Sequence, residues 1–221
     1  MIATAENATL AVDSVSLIPV WLEISAMCVS GLFGGVIAGK RGAPILAILI
    51  GGLIVGLGGG IIRDLLLNVI PVAISTWYLL PAVGGAALIG GAFNRFFDHS
   101  RREILTLQAV SLGLLVVIGS EKALHANVPF FSIIALGMIA AIAGGAILDA
   151  LFGVRTALLS QGQWHILALA AGAVGFVVMF RFTTPLIAEI GTVVAVVALR
   201  LFSAHHGWKC PEFPNSQKSD S

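Results

Sequence analysis

The stretch that decides the fold is residues 56–68, GLGGGIIRDLLLN, which places three consecutive glycines and an Arg-Asp pair inside a long apolar run. A second copy of its core, AGGAILDALFG at residues 143–153, follows 85 residues later. Each glycine weakens a helix by about 1 kcal/mol relative to alanine. A carboxylate is costly in hydrocarbon unless it faces protein or water. The repeat therefore predicts two broken helices that carry ionisable groups, a pattern typical of membrane transport proteins.

The composition points to a membrane protein as well. Of the 221 residues 58% are hydrophobic, 10% are charged and 26 are glycine, and the mean hydropathy is +1.02. These values lie outside those of soluble domains. The net charge of +1 and the absence of a basic face argue against a nucleic-acid partner. Without a nucleophile elbow, a phosphate loop or metal-ligand spacing, the sequence predicts neither an enzyme nor a cofactor.

Seven apolar runs are long enough to cross about 30 Å of hydrocarbon. They predict an all-α polytopic membrane protein with seven transmembrane helices in a single domain. The polar break after the fourth run places Glu121-Lys122 in a loop on the outer side. The runs lie at about residues 17–38, 44–67, 76–96, 104–124, 129–152, 162–182 and 184–202.

The distribution of basic residues predicts the orientation of the chain. With the N-terminus outside and the C-terminus in the cytoplasm, nine Lys and Arg residues lie inside, two (Lys122 and Arg181) lie outside, and Arg63 lies within the membrane. The positive-inside rule selects this arrangement. The inside residues are Lys40, Arg41, Arg95, Arg101, Arg102, Arg155, Arg200, Lys209 and Lys218.

The internal repeat extends beyond the glycine motif. At the same offset of 85, matching pairs span three predicted helices in each half: Gly34 and Gly119, Pro44 and Pro129, Gly52 and Gly137, Asp64 and Asp149, and Gly90 and Gly175. An odd number of helices per repeat inverts the second copy, so we expect an axis in the membrane plane. Repeat one covers about residues 17–98 and repeat two about 104–182. The seventh helix, at about 184–203, and a polar tail, 204–221, follow.

The candidate ion pathway lies where each carboxylate follows its glycines by one helical turn. Asp64 follows Gly60 and Asp149 follows Gly145 by four residues, which places each pair on one helix face. Carbonyls freed by breaks at Gly58–Gly60 and Gly144–Gly145 need a partner in lipid. With the carboxylates they would suit an alkali cation. The alternative is that the glycines only allow close helix packing.

Arg63 has no counterpart in the second repeat, where Leu148 occupies the matching position. Neighbours on a helix point about 100° apart, so we expect Arg63 to reach across to Asp149 rather than to Asp64. A purely structural ion pair is an equally good interpretation. Glu23 and Glu189 lie inside apolar runs and could line a vestibule.

These motifs resemble the prokaryotic branch of the trimeric intracellular cation (TRIC) channels, within a wider family of seven-helix proteins that includes possible glycine transporters. The resemblance rests on residues 56–68 followed by Pro71, on residues 143–153, and on the ending RLFSAHHGWKCPEFP at 200–214. It implies a homotrimer in the inner membrane of a prokaryote, with one pore per protomer. The second and fifth helices would be kinked and would line this pore, which conducts K⁺ and Na⁺.

Three functions stay open on the sequence. The first is a monovalent-cation channel, which the resemblance favours. The second is a secondary transporter of a small amino acid such as glycine, since inverted repeats suit channels and transporters alike. The third is a membrane scaffold, which the intramembrane charges disfavour.

Overall fold

The computed structural model describes residues 20–94, 101–154 and 165–206. Arg95, Arg155, Lys209 and Lys218, which the orientation argument used, and most of the C-terminal resemblance lie outside these ranges. The described residues form eight helices: α1 (Val20–Lys40), α2 (Ile45–Leu66), α3 (Val72–Ser75), α4 (Leu79–Ala92), α5 (Arg101–His125), α6 (Phe130–Leu151), α7 (His165–Phe182) and α8 (Pro185–His206).

The protein is an all-helical, multi-pass membrane protein. Among the described residues, α1, α2, α5, α6 and α8 are long and apolar enough to cross a bilayer, whereas α4 and α7 are apolar but shorter. The predicted third span, which was to begin near Thr76, is shorter than expected. Residues 72–78 form the short helix α3 and a turn, and α4 begins only at Leu79. Pro81 fits the first turn of α4, where its missing N–H costs nothing.

The helix boundaries support the predicted duplication. Helices α2 and α6 begin and end 85 residues apart, and so do the ends of α1 and α5. Every residue with positive φ in the described ranges also belongs to a pair at this offset. Gly42 and Asn127 (φ 70° and 53°) follow α1 and α5, and Asn68 and Gly153 (φ 56° and 62°) follow α2 and α6. The left-handed conformation ends a helix, and Gly and Asn adopt it most readily.

The helix crossings repeat as well. A Cβ atom at Gly34 would lie 3.0 Å from the Cα of Gly52, where α1 crosses α2, and one at Gly119 would lie 2.9 Å from the Cα of Gly137, where α5 crosses α6. Both pairs are 85 residues apart, so the same small residues bring the same backbones together in each half.

The two halves meet where α2 packs against α6, a contact that we call the seam. Along the seam Gly51 lies beside Leu148, Gly58 beside Gly144, and Gly59 against the backbone of Ala140. Numbers rise on one helix as they fall on the other, so the two helices are antiparallel, as an inverted repeat requires.

The predicted helix breaks are absent from this structure. Residues 58–60 lie within the continuous helix α2, and residues 144–145 lie within the continuous helix α6. The expected freed carbonyls are therefore still bonded within their helices. Close backbone contact at Gly59 and Gly144 explains why glycine occupies these positions, which is the packing alternative stated above.

The predicted outer loop at Glu121-Lys122 is wrong, although the fourth run was predicted to end at about residue 124 and α5 ends at His125. Glu121 and Lys122 lie inside α5, which continues to His125, and both side chains are buried. The helix ends at His125, and Asn127, with its positive φ, follows in the turn before Pro129. The join between the last two spans was predicted near residues 181–185, and α7 and α8 do meet between Phe182 and Pro185.

Candidate functional site

Four ionisable side chains from three helices converge at one end of the seam, and we call this group the charge cluster. Glu23 comes from the first turn of α1, Arg63 and Asp64 come from the last turn of α2, and Lys122 comes from the last turn of α5. Each of these residues is buried, and Arg63 has no exposed surface at all. The inverted topology brings these three helix ends to the same side of the molecule.

Short contacts link the four side chains into one network. Arg63 contacts the Oδ1 atom of Asp64 through Nη2 at 2.6 Å and through Nε at 2.8 Å. Its Nη2 atom also lies 3.3 Å from Oε1 of Glu23. Lys122 donates to the same Glu23 oxygen at 2.5 Å and lies 3.8 Å from Oδ1 of Asp64. The second Asp64 oxygen accepts the backbone N–H of Val72 at 3.1 Å, which ties α3 to the cluster.

The charge cluster is balanced, with two cations and two carboxylates. Such groups are tolerated in a membrane bundle because they pair with one another. Removal of any one member would leave an uncompensated buried charge. One donor stays unused within the described part of the chain, since Nη1 of Arg63 is buried and has no hydrogen-bond partner there.

A second ion pair lies at the opposite end of the seam. Nη2 of Arg41, in the turn after α1, lies 2.8 Å from Oδ1 of Asp149 in the last turn of α6. The Arg41 guanidinium also lies over the ring of Phe152, 4.8 Å from its centre. Both charged side chains are partly exposed, at 28% and 18%. This pair joins the first repeat to the second on the side where water can reach it.

The predicted pairing of Arg63 with Asp149 is wrong. The two helices cross near Gly58 and Gly144, and each charged residue lies five positions beyond the crossing in opposite directions. At 1.5 Å of rise per residue, they are about 15 Å apart along the seam. Arg63 instead pairs with its neighbour Asp64, because its long side chain folds around to that carboxylate.

Sequence reasoning placed Asp64 correctly among buried charges but missed Lys122 as a partner. The polar pair Glu121-Lys122 was interpreted as a loop, although Ala123 and Leu124 continue the helix and the turn residues Asn127 and Pro129 come later. The predicted run already reached residue 124, so giving those turn residues more weight would have placed Glu121 and Lys122 inside the helix. Glu23 was predicted to line a vestibule, whereas it is buried and paired with Lys122 and Arg63, partners that depend on tertiary contacts.

The residues predicted to form the ion pathway do not lie together. Gly58, Gly59 and Gly144 lie in the seam, and Gly60 faces Met27 of α1, with Arg63 nearby. A Cβ atom at Gly145 would contact nothing within 4 Å. Asp64 and Asp149 lie at opposite ends of the seam, each paired with an arginine.

The fold and this site define a class of protein: a helical membrane protein of two inverted units, with ion pairs at both ends of the seam between them. The model of the family described as "Glycine transporter" matches residues 20–92 and 105–182. The chain therefore belongs to this family, which is TRIC-like.

Relatives and solved structures agree with the assignment. The chain is 27% identical to the inner membrane protein YadS of Escherichia coli strain K12 over 87% of this chain and 95% of that protein. It is 25% identical to a membrane protein of Deinococcus radiodurans, over 86% and 90%. Crystal structures of a TRIC trimeric intracellular cation channel orthologue from Rhodobacter sphaeroides match with a TM-score of 0.79 and 28% identity, over 86% and 98%. A second TRIC cation channel structure shares the fold, with a TM-score of 0.78 and 22% identity, over 90% and 98%.

Proposed function

We propose that this protein is a channel for monovalent cations, K⁺ and Na⁺, with one pore in each protomer. The observation that carries the proposal is the buried charge cluster at the end of the seam, in a chain that shares its fold with TRIC cation channels. Ionisable groups buried in a membrane bundle commonly mark an ion pathway, which favours transport over a scaffold.

The proposed route follows the seam from the charge cluster to the Arg41–Asp149 pair. Residues 58–60 and 144–145 would line its middle, and the carboxylates of Asp64 and Asp149 would mark its two ends. Carboxylates at a pore entrance attract cations and repel anions. On this proposal, the contact of α2 with α6 at Gly59 and Ala140 would block the route, and conduction would require the two helices to separate.

The Arg41–Asp149 pair acts in this proposal as a latch on the closed state. We expect Arg41→Ala to raise K⁺ flux through reconstituted protein, because the bond between the two repeats is lost at this end. The free energy of unfolding should change by less than about 1 kcal/mol, since the pair is partly exposed. Arg102→Ala, which removes an exposed positive charge near the start of α5, is the control. Equal flux in wild type and Arg41→Ala would exclude the latch.

We further propose that the protein is a homotrimer in the inner membrane of a prokaryote, with its N-terminus outside and its C-terminus in the cytoplasm. The relative from Rhodobacter sphaeroides is called trimeric. The small residues Gly31, Gly35 and Gly90 pack within one protomer, against α4 or α1, and so leave the trimer contacts to other surfaces.

The trimer is tested by mass. Native mass spectrometry in mild detergent, which leaves weak membrane contacts intact, should give three times the chain mass of 22.9 kDa. A monomer under conditions that preserve the fold would contradict this part of the proposal.

Transport measurements on proteoliposomes distinguish the channel from the alternative, a glycine transporter, which the family description names. Protein reconstituted in one lipid preparation would be assayed for K⁺ efflux and for uptake of radiolabelled glycine. A channel gives rapid K⁺ efflux that does not saturate at low millimolar concentrations, together with background glycine uptake. Saturable glycine uptake without K⁺ efflux would reverse the assignment.

A further inference from the structure

A second group of buried ionisable residues lies outside the seam, between α5 and α8. Glu121 of α5 and Glu189 of α8 are 2% and 5% exposed, and the two helices pack against each other, with Gly113 of α5 against Val193 of α8. One turn after Glu121, the Nε2 atom of His125 lies 3.7 Å from the Oε1 atom of Glu121. Glu189 belongs to the buried face of α8, and Thr192 follows it one turn later on that face.

Unlike the charge cluster, this group is not balanced. Within the described ranges, neither carboxylate forms an ion pair with a lysine or arginine. Lys122 points about 100° away around α5, where it binds Glu23. Arg181, at the exposed end of α7, forms no ion pair with a described residue. Two buried carboxylates without a permanent cation cannot both stay ionised at low cost.

Polar atoms of α5 and α8 lack a hydrogen-bond partner among the described residues. The second carboxylate oxygen of Glu121, Oε2, is buried without a hydrogen-bond partner in the described part of the chain, and so is the hydroxyl of Thr192. A buried polar atom that lacks its partner costs about 1–3 kcal/mol. The unpartnered oxygen of Glu121 indicates that this carboxyl group binds something that the described residues do not supply.

We propose that Glu121 and Glu189 form a proton-binding site, in which the two carboxyl groups share one proton taken from the aqueous phase. The proton adds to one carboxylate, and the resulting O–H donates to the other, which removes one negative charge and supplies the missing partner. His125 is 22% exposed at the end of α5 and gives this proton a route from solution. A metal ion fits less well, because no three carboxylate, imidazole or thiolate groups of the described residues are placed to hold one.

The proton site stands without the proposed channel, but its effect on conduction rests on that function. Glu121 is the neighbour of Lys122 in the charge cluster. A proton gained or lost at the carboxyl pair therefore changes the field at the end of the proposed route. A change in the solution pH could therefore alter conduction through the proposed pore by protonating the carboxyl pair, while the charge cluster keeps its protonation state.

Infrared difference spectra of the reconstituted full chain test the site directly. At neutral pH the wild type should show the carbonyl band of a protonated carboxylic acid, and the band should disappear as the pH is raised. Glu189→Gln and Glu121→Gln should each abolish it. Glu103→Gln, at the exposed other end of α5, should leave it unchanged.

Two results would overturn the proposal. One is the absence of the band from the wild type at neutral pH. The other is its persistence in both glutamine variants. If the band is absent and Na⁺ or K⁺ binding is lost in Glu189→Gln, the pair holds a metal cation instead. None of these spectra depends on conduction, so a failure of the channel proposal is seen separately.

Discussion

Arg63→Leu is expected to lower the stability of the protein by about 3–5 kcal/mol, the usual cost of leaving a buried charge without its partner. Asp64 would lose both of its short contacts to Arg63, and Glu23 would keep only Lys122. The protein should unfold at a markedly lower temperature in detergent, measured by the loss of helical circular dichroism or by exposure of Cys28 to a thiol dye.

A mutant cycle identifies the partner of Arg63. Arg63→Leu combined with Asp64→Leu leaves the balanced pair Glu23–Lys122, so much of the stability should return, with a coupling energy above about 1 kcal/mol. Arg63→Leu combined with Asp149→Leu should be additive within about 0.5 kcal/mol, because the two sites are far apart and Asp149 binds Arg41. Coupling to Asp149 with additivity at Asp64 would show that the observed pairing is not the one in the membrane.

Gly59→Ala is the second substitution with a large expected effect. Its methyl group would overlap the backbone carbonyl of Ala140, which no side-chain rotation can move. Overpacking of this kind costs about 1–3 kcal/mol, which exceeds the gain of about 1 kcal/mol from replacing glycine in a helix. We expect a lower melting temperature and a seam that is forced apart.

Gly145→Ala is the matched control, because it makes the same chemical change in the same motif of the second repeat. No atom lies within 4 Å of the added methyl group. The variant should therefore be as stable as the wild type or more stable, by up to about 1 kcal/mol. If both variants melt at the same temperature, the packing of α2 against α6 is looser than the structure has it.

The sequence was sufficient to predict most of the fold. Apolar runs located the long helices, and Pro44, Pro129 and the glycines after α1 and α6 located their ends. The offset of 85 predicted a duplication that the matched boundaries of α2 and α6 support. Such features are local, because a helix start or a left-handed residue depends on its neighbours in the chain.

The partners of the charged residues were harder to predict, because they depend on how helices pack. The three glycines at 58–60 favour a break when α2 is considered alone, yet contact with α6 keeps the helix continuous. Arg63 was assigned to Asp149 from the pattern of charges. The inverted repeat, which the same sequence predicted, already places the two aspartates at opposite ends of the seam. The error came from assigning the partner of Arg63 from helix geometry alone, before considering where the inverted repeat places each aspartate.

The most direct test of the central claim is the reversal potential of single-channel currents in a planar bilayer under a KCl gradient. The purified protein should give discrete unitary currents that reverse near the K⁺ equilibrium potential, since carboxylates at the two ends of the proposed route favour cations. Replacement of K⁺ by Na⁺ should preserve the currents. Reversal near the Cl⁻ equilibrium potential would contradict the account. So would the absence of unitary currents from purified protein that is shown to be folded.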